Sequence, residues 1–489
     1  MTEIQKHRMV FLPIRSLGRS RRRRRTREGS IKPKTSQRAR FVRLTGAIVA
    51  VGLVVSSFGT LSGAALDSRS SAYPAYPSGN LTSADIALAA GYTGGTANHA
   101  AAGRPVVVGW LNDDADTVAY PENTAGAVLA AWLVNKYLGG IKGHPIQLDA
   151  CQVNNAGDGA SCAEQMVADR VKVVITGTVV DGNAAIYNTL AAAHIPVVEG
   201  NGFTTTDLAP PGKGTVVDYM PAAAGMILGL AKFIGTSRSG FGLGFAPKSI
   251  AAVYTNDTGG TTAFEELFKT DKYLKGITVH GVSVSPTADA SQVQAAVTAS
   301  GAAQDSVFVP LTPVAQCVSV YNALKTLGIK PTVVTTGLCF GTPLIEALGG
   351  TFPKGWYFGD YGVSYFMFDP KVAASRQLGV FIAAVHQDNP SMQYTGFAGP
   401  SFANILTITR LYNAIGVNAT SSQLAKRILA FRGPQFGLSG PLKCGFEHVL
   451  PALCGDEVGV AQFDSDGRWV PVEDAYNNRL INGFPGFTP

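Results

Sequence analysis

The chain has few charged residues and lacks the common catalytic signatures. Charged residues make up 15% of its 489 positions and hydrophobic residues 46%, which excludes an intrinsically disordered protein. A chain of this length is too long for one core, so we expect two globular units. It contains no G-x-S-x-G, P-loop or H-E-x-x-H pattern, and we therefore expect no enzyme activity, no cofactor and no metal.

Basic residues are in excess only at the start of the chain. Residues 1–66 hold 15 of the 40 Lys and Arg but two of the 33 Asp and Glu, which leaves 25 basic against 31 acidic residues afterwards. The folded part is therefore expected to bind no nucleic acid. The arginine run 21–25 is consistent with a nucleic-acid tail, but the apolar segment that follows it favours export.

That segment, residues 44–58, reads LTGAIVAVGLVVSSF and precedes the small residues GTLSGAA. A basic region, an apolar run and small residues form a secretory signal, so residues 1–66 are interpreted as a leader cleaved near Ala64 or Ala65. An uncleaved anchor is the alternative, since a spanning helix needs about 20 apolar residues. The protein is expected in the cell envelope or outside the cell, with the membrane contacted only through this segment.

Six cysteines follow the leader, and an even number in an exported chain indicates disulfides. Their spacing excludes a metal cluster of the CxxC type. Sequence alone allows about 15 pairings, and close neighbours favour the pairs Cys151–Cys162, Cys317–Cys339 and Cys444–Cys454.

Residues 67–103 are rich in Ser, Gly, Pro and Ala and are predicted to be a linker that packs at most in part on the folded body. From residue 104 onwards, short β-branched runs alternate with helix-length amphipathic runs, and a second set of similar length begins near residue 222. This alternation predicts an α/β fold with two Rossmann-like lobes, each built on a parallel sheet.

Ligands of open parallel sheets bind beyond the carboxyl ends of the strands. The loops at these ends are rich in hydroxyls and amides, which can bond a ligand or simply cap the next helix. The candidate ligand-binding residues are Asp113, Tyr120, Thr178, Asp181, Gly202, Phe203, Thr204, Asn256, Thr258, Thr312 and Gly337.

Five segments carry a resemblance to a known family. The folded region opens with a strand, a polar loop, a long helix and the run GGIKGHP. Three segments follow: VKVVITGTVVDGNAA, IPVVEGNGFTTTDLA and IAAVYTNDTGGTTAFEELF. The region closes with GPLKCGF and VAQFDSDGRWVPV. In this order they resemble type I periplasmic binding proteins of the leucine/isoleucine/valine class, the receptors of ABC importers. The resemblance covers roughly residues 104–475.

The resemblance implies a type I periplasmic binding fold with a three-crossover hinge near 217–222, 355–360 and 436–442. Lobe 1 would comprise 104–220 plus 358–438, and lobe 2 would comprise 221–357 plus 439–475. It also implies an extracytoplasmic receptor that closes like a Venus flytrap around a small solute. Its partners would be that solute and an ABC importer permease.

Individual positions agree with the family pattern or depart from it. The resemblance implies that the Thr204 hydroxyl holds a ligand carboxylate and that Tyr120 covers the ligand. Asp181 stands where the family has a serine, and Gly337 stands where it has the acid that pairs with an amino acid's ammonium. The family's aromatic positions are occupied by Thr258 and Val314. Asp181 or Asp257 could replace the missing acid.

The expected ligand is therefore a small polar solute that is amino-acid-like, an amide or a carboxylate, and a neutral, partly apolar ligand remains open. Two other functions are also compatible with the sequence. A binding module of the same fold could sense a ligand and regulate a membrane protein, which would require no permease. A secreted α/β enzyme would need a nucleophile–base pair in the cleft, for which the sequence offers no candidate.

Overall fold

The computed structural model describes residues 79–115, 119–212, 214–236, 242–304, 306–361, 373–392, 396–438, 442–446, 450–455, 457–467, 469–472 and 480–482. The predicted leader, with its apolar run, lies outside these residues. Within the described part of the chain, no helix combines the length and the apolar character needed to cross a membrane.

The first sheet has five parallel strands in the order β2-β1-β3-β4-β5. Four of its strands are buried runs rich in β-branched and apolar residues, as parallel strands covered on both faces require, whereas the edge strand β2 is partly exposed. The strands are β1 (Val106–Asn112), β2 (Ile146–Gln152), β3 (Val174–Thr176), β4 (Val197–Glu199) and β5 (Val216–Asp218). The crossover helices are α2 (Pro121–Tyr137), α3 (Ala156–Ala168), α4 (Asn183–Ala192) and α5 (Thr205–Leu208).

The second sheet has eight strands in the order β12-β11-β10-β9-β8-β6-β7, with β13 paired to β11. Strands β6 to β10 pair in parallel, and β11 joins β10 antiparallel. The strands are β6 (Ser249–Thr255), β7 (Thr278–Val284), β8 (Val307–Leu311), β9 (Thr332–Thr336), β10 (Tyr357–Tyr361), β11 (Glu457–Phe463), β12 (Trp469–Pro471) and β13 (Leu480–Asn482). Together the two sheets confirm the predicted α/β fold.

The helices of the second lobe include α6, which enters from the first lobe and packs on β10 and β11. Leu230 of α6 lies so close to Gly359 that any Cβ there would clash with it. The helices are α6 (Ala222–Gly235), α7 (Thr258–Thr261, continued as a π-helix over Thr262–Phe268), α8 (Ala290–Ala299), α9 (Val314–Leu327) and α10 (Thr342–Ala347), with short 3-10 turns at Lys272–Leu274 and Gly337–Cys339.

Three further helices return to the first lobe: α11 (Ala373–Asp388), α12 (Ala398–Ile415) and α13 (Ser421–Ala430). The apolar residues of the last two recur with the 3.6-residue spacing that is typical of a helix with one buried face. Helix α12 packs on α2 at Gly126, where a Cβ would lie 2.1 Å from the carbonyl oxygen of Ala398. The two backbones can approach this closely only because residue 126 has no side chain.

The prediction of a linker over 67–103 is wrong for its described part. Ser83–Thr93 forms a helix, α1, with a capping box between Thr82 and Asp85 and a left-handed Gly94 at its end. The Tyr92 hydroxyl lies 2.8 Å from the Thr407 hydroxyl of α12 in the core. Sequence reasoning missed α1 because two of the five residues that it buries are alanines, Ala89 and Ala90, which give little apolar contrast.

The expected boundary between 357 and 358 also needs correction. Strand β10 continues to Tyr361, and its residues Tyr357, Phe358 and Gly359 pair with Val334, Thr335 and Thr336 of β9. Residues 358–361 therefore belong to the second sheet, because ending the strand at 357 would leave these backbone groups unpaired.

The three neighbouring cysteine pairs are the pairs that form: Cys151–Cys162, Cys317–Cys339 and Cys444–Cys454. The second bridge ties the first turn of α9 to the 3-10 turn after β9. Both segments follow strands of the second sheet, so this disulfide joins two neighbouring strand ends of that lobe.

Candidate ligand-binding cleft

A cavity of about 330 Å³ lies between the two lobes, where strands of both sheets end. Its volume is at the lower end of the range for small-molecule sites, roughly 300–1,000 Å³. The first lobe contributes residues in the loops after β1, β3 and β4: Tyr120, Val180, Asp181 and Phe203. The second lobe contributes Thr255, Asp257, Thr258, Gly259, Gly260, Ala263, Pro286, Thr287, Leu311, Thr312, Pro313, Thr336 and Leu338, and α6 adds Ala223, Met226 and Ile227.

The structure brings five of the predicted site residues to the cavity wall. Tyr120, Asp181 and Phe203 lie on the first lobe, and Thr258 and Thr312 lie on the second. They meet because the carboxyl ends of parallel strands share one edge of each sheet and the two edges face each other.

Asp113 and Thr178 are not among the cavity-lining residues. Asp113 is 1% exposed, and its backbone N–H donates to the Thr178 carbonyl at 3.1 Å. The Thr178 backbone N–H donates to Oδ1 of Asn112 at 2.9 Å, and its hydroxyl lies 2.9 Å from the Asn123 amide. These groups hold the loops after β1 and β3 together behind Tyr120.

Thr204 faces the protein interior instead of the cavity and is 3% exposed. It caps α5: its hydroxyl donates to Oδ2 of Asp207 at 2.9 Å, and its backbone N–H donates to the same oxygen at 2.9 Å. The Phe203 N–H also donates to this oxygen at 3.1 Å, and the Gly202 N–H donates to Oδ2 of Asp218 at 3.0 Å. Buried carboxylates of the protein thus occupy every N–H donor of loop 202–204.

Asn256 and Gly337 lie beside the cavity without lining it. Asn256 is exposed, and its N–H extends the pairing of β6 with β7 by donating to the Val284 carbonyl at 2.8 Å. Gly337 is buried at the start of its 3-10 turn, and the next residue, Leu338, reaches the wall. An apolar side chain therefore lies next to the position where the family resemblance implies an acid.

Sequence reasoning missed two groups of lining residues. Pro286 and Thr287 follow β7, so the strand-end rule applied to that strand would have found them. Ala223, Met226 and Ile227 lie on the first turns of α6, the helix that enters the second lobe. Their sequence is that of an ordinary buried helix, and only the position of the crossover brings them to the cleft.

Aromatic rings form one side of the cavity. The ring centroids of Tyr120 and Phe203 are 6.0 Å apart, and Phe397 lies 5.8 Å from Tyr120 and 6.0 Å from Phe203. Burial and the nearby Asp257 carboxylate raise the pKa of the Tyr120 hydroxyl above its ordinary value. This hydroxyl therefore stays neutral at physiological pH and can donate a hydrogen bond.

Asp181 and Asp257 are the charged side chains among the described lining residues. Asp257 caps α7, with its Oδ1 accepting the Gly260 N–H at 2.6 Å. Gly260 is required there, since a Cβ would lie 2.2 Å from the Thr255 carbonyl oxygen. Asp181 is exposed in the loop after β3. Each lobe thus brings one carboxylate to the cavity.

Behind loop 202–204 lies a group of buried acids, Glu199, Asp207 and Asp218. Burial raises the pKa of Asp218 to about 7, although the N–H groups of Gly202 and Met220 lower it. Burial and the neighbouring Asp207 raise the pKa of Glu199 well above its usual range. In the first turn of α2, burial raises the pKa of Glu122 to about 7.

Two α/β lobes with a ligand-sized cavity at their facing strand ends define a two-lobed solute-binding fold. The model of the family described as periplasmic binding protein matches residues 105–441, and the chain belongs to this family, whose type I members share the fold. A search of curated protein sequences found no match.

Solved structures show the same fold at low sequence identity. An extracellular ligand-binding receptor from Verminephrobacter eiseniae is 18% identical, with a TM-score of 0.58 over 75% of this chain and 99% of that one. A solute-binding protein of an ABC transporter from R. palustris, in complex with 4-hydroxybenzoate, is 15% identical, with a TM-score of 0.59 over 75% and 95%. The branched-chain amino acid transporter substrate binding protein LivJ from Streptococcus pneumoniae, in complex with isoleucine, is 16% identical, with a TM-score of 0.55 over 75% and 100%.

Proposed function

We propose that the protein is an exported receptor that captures a small solute in the interlobe cavity and delivers it to an ABC importer. The observation that carries the proposal is the cavity of about 330 Å³, whose wall combines strand-end loops of both lobes. The family membership supports it, and structural neighbours described as ABC transporter binding proteins hold isoleucine and 4-hydroxybenzoate.

The geometry suggests how capture and delivery are linked. Tyr120, Asp181 and Phe203 reach the solute from one lobe, and Thr258, Thr312 and Leu338 reach it from the other. A solute that contacts both lobes favours the closed form over the open one, because its contacts with both lobes exist together only after closure. The closed form then presents a surface that an importer can distinguish from the open form.

A thermal-shift screen of the full chain against amino acids, amides, carboxylates, amines and sugars tests capture. A solute at about 100 times its dissociation constant adds about 2.7 kcal/mol and raises the unfolding midpoint by a few degrees. Thr258→Trp, which fills the cavity, should abolish the shift. Thr298→Trp, on the exposed face of α8, is the matched control and should leave it intact.

Uptake of the identified solute by cells with and without the chain tests delivery. Loss of uptake without the chain, restored by the wild type but not by Thr258→Trp, supports the importer. Binding with unchanged uptake would instead favour a sensing module of the same fold. Absence of any binding solute in the screen would overturn the receptor function itself.

A further inference from the structure

We propose that the cleft selects an organic ammonium compound, a positively charged head group on an apolar body, over a carboxylate of the same size. This inference rests on the proposed receptor function and specifies its ligand. Three independent features of the cavity support it: the charge of the wall, the occupied donors of one loop and the aromatic surface.

The first feature is charge. Asp181 and Asp257 reach the cavity from opposite lobes, and the described lining residues include no Lys, Arg or His. In the part of the chain that the structure describes, Asp181 makes no hydrogen bond or ion pair, and Asp257 has one oxygen bonded to the Gly260 N–H. Closure of the lobes brings both carboxylates toward the ligand. As water leaves the cavity, these carboxylates attract a cation and repel an anion more strongly.

The second feature is the state of loop 202–204. A carboxylate ligand needs N–H or hydroxyl donors, and this loop supplies them only if its own bonds break. Its three N–H groups and the Thr204 hydroxyl already bond to Asp207 and Asp218. A ligand carboxylate there would therefore have to displace a protein carboxylate and lie beside it, unpaired.

The third feature is the aromatic and apolar wall. Tyr120 and Phe203 expose ring surface to the cavity, and Met226, Leu311 and Leu338 extend the apolar part. The negative face of an aromatic ring attracts an alkylammonium group. The neutral donors Thr287, Thr312 and Thr336 can bond a hydroxyl or carbonyl oxygen on the same ligand.

A matched set of probes that share one branched five-carbon group tests the charge preference on the full chain. The probes are 3-methylbutylamine, 4-methylpentanoate, 4-methylpentanamide and leucine, with phenethylamine and 3-phenylpropionate as an aromatic pair. Each amine should bind about tenfold or more tightly than its carboxylate counterpart by calorimetry. The amine's affinity should fall as salt rises, whereas that of the neutral amide should not.

Variants that each remove one carboxylate charge test which aspartate produces the preference for an ammonium group. Asp257→Asn keeps a helix-capping side chain and removes the charge, and it should weaken amine binding about tenfold without weakening amide binding. Asp181→Asn should act in the same direction. Asp289→Asn, at the exposed cap of α8 outside the cavity, is the matched control and should change neither affinity.

Other results separate the two proposals. Tighter binding of the carboxylates or of leucine, or unchanged amine binding in Asp257→Asn and Asp181→Asn, would overturn the ammonium inference and leave the receptor function standing. If a neutral or anionic solute from the broader screen binds and none of the amines does, the ammonium inference is likewise overturned and the receptor function stands. No binding of any compound would overturn both.

Discussion

The hydroxyl of Tyr187 lies 2.7 Å from Oε1 of Glu199 in the interior of the first lobe. The same hydroxyl lies 2.8 Å from Oδ1 of Asp207. A tyrosine has one hydroxyl proton, so it cannot donate to both carboxylates at once. Asp207 also accepts from the Asn183 amide and from the N–H groups of loop 202–204, which stabilise its charged form. Glu199 is therefore the carboxyl that keeps its proton.

We predict that the protein becomes less stable as pH rises from about 4 to above 7. In the unfolded chain, Asp and Glu ionise near pH 4, whereas burial raises the folded-state pKa of Asp218 and of Glu122 to about 7. The folded state binds more protons in this window, so raising the pH favours unfolding. Urea denaturation should give a free energy of unfolding at least about 1 kcal/mol lower at pH 8 than at pH 5. Equal stability at both values would contradict the prediction.

Glu199→Gln should reduce this pH dependence. The glutamine amide NH2 can donate to the Tyr187 hydroxyl oxygen in place of the protonated carboxyl, while the buried group that must lose a proton at high pH is gone. We expect the variant to be more stable than the wild type at pH 8 and close to it at pH 5. Glu164→Gln, at an exposed position of α3, is the control and should leave the pH profile unchanged. An equal loss of stability at pH 5 and at pH 8 would indicate that the Glu199 side chain contributes packing and not a pH-dependent charge.

The alternation of strands and helices could be predicted from sequence because most strands are short β-branched or apolar runs that end in a turn. The inward orientation of Thr204 had a local signal, since T-x-x-D is a capping box and Asp207 stands three residues after Thr204. The contribution of Met226 to the cleft had none, because it depends on how α6 crosses between lobes. Helix α1 escaped prediction because Ala89 and Ala90, which it buries, contribute little apolar contrast.

Gly126→Ala should destabilise the first lobe. The new methyl group would lie 2.1 Å from the carbonyl oxygen of Ala398, which is backbone and cannot rotate away, so α2 and α12 must separate. Overpacking of this kind costs about 1–3 kcal/mol, measurable by thermal or urea denaturation. Gly91→Ala is the matched control: residue 91 lies in a helix with open space around it, and the change should stabilise α1 by about 0.5–1 kcal/mol.

Removing the Cys317–Cys339 bridge should affect both stability and binding. It joins the two segments that carry the cavity-lining residues Thr312 and Leu338. The double Cys→Ser variant should lose about 2–4 kcal/mol of its free energy of unfolding. It should also bind any cleft ligand more weakly, because the segments that carry Thr312 and Leu338 must then be ordered on binding. The corresponding variant of Cys444–Cys454, whose residues do not line the cavity, should lose stability without a comparable loss of affinity. Equal losses of affinity in the two variants would show that the Cys317–Cys339 bridge has no special role at the cavity.

Tyr120→Phe and Tyr120→Ala should separate the hydroxyl of this residue from its ring. The ring contacts Phe203 and Phe397, and aromatic pairs of this geometry contribute about 0.5–1.5 kcal/mol each beyond their buried area. Tyr120→Phe retains those contacts and should leave stability nearly unchanged. Tyr120→Ala removes them and should lower both stability and ligand affinity.

The affinity of Tyr120→Phe then measures the hydroxyl directly. Burial and Asp257 keep this hydroxyl protonated, so it acts only as a neutral donor or acceptor. If the ligand is an ammonium compound held by the ring face and the carboxylates, losing the hydroxyl should change affinity less than about threefold, whereas Tyr120→Ala should weaken binding about tenfold or more. Calorimetry on both variants measures the contributions of the hydroxyl and of the ring to affinity, with Tyr273→Ala, outside the cavity, as a control. A large loss of ligand affinity in Tyr120→Phe would show that the ligand presents an oxygen to the Tyr120 hydroxyl. The main role of the aromatic ring would then be to position that hydroxyl.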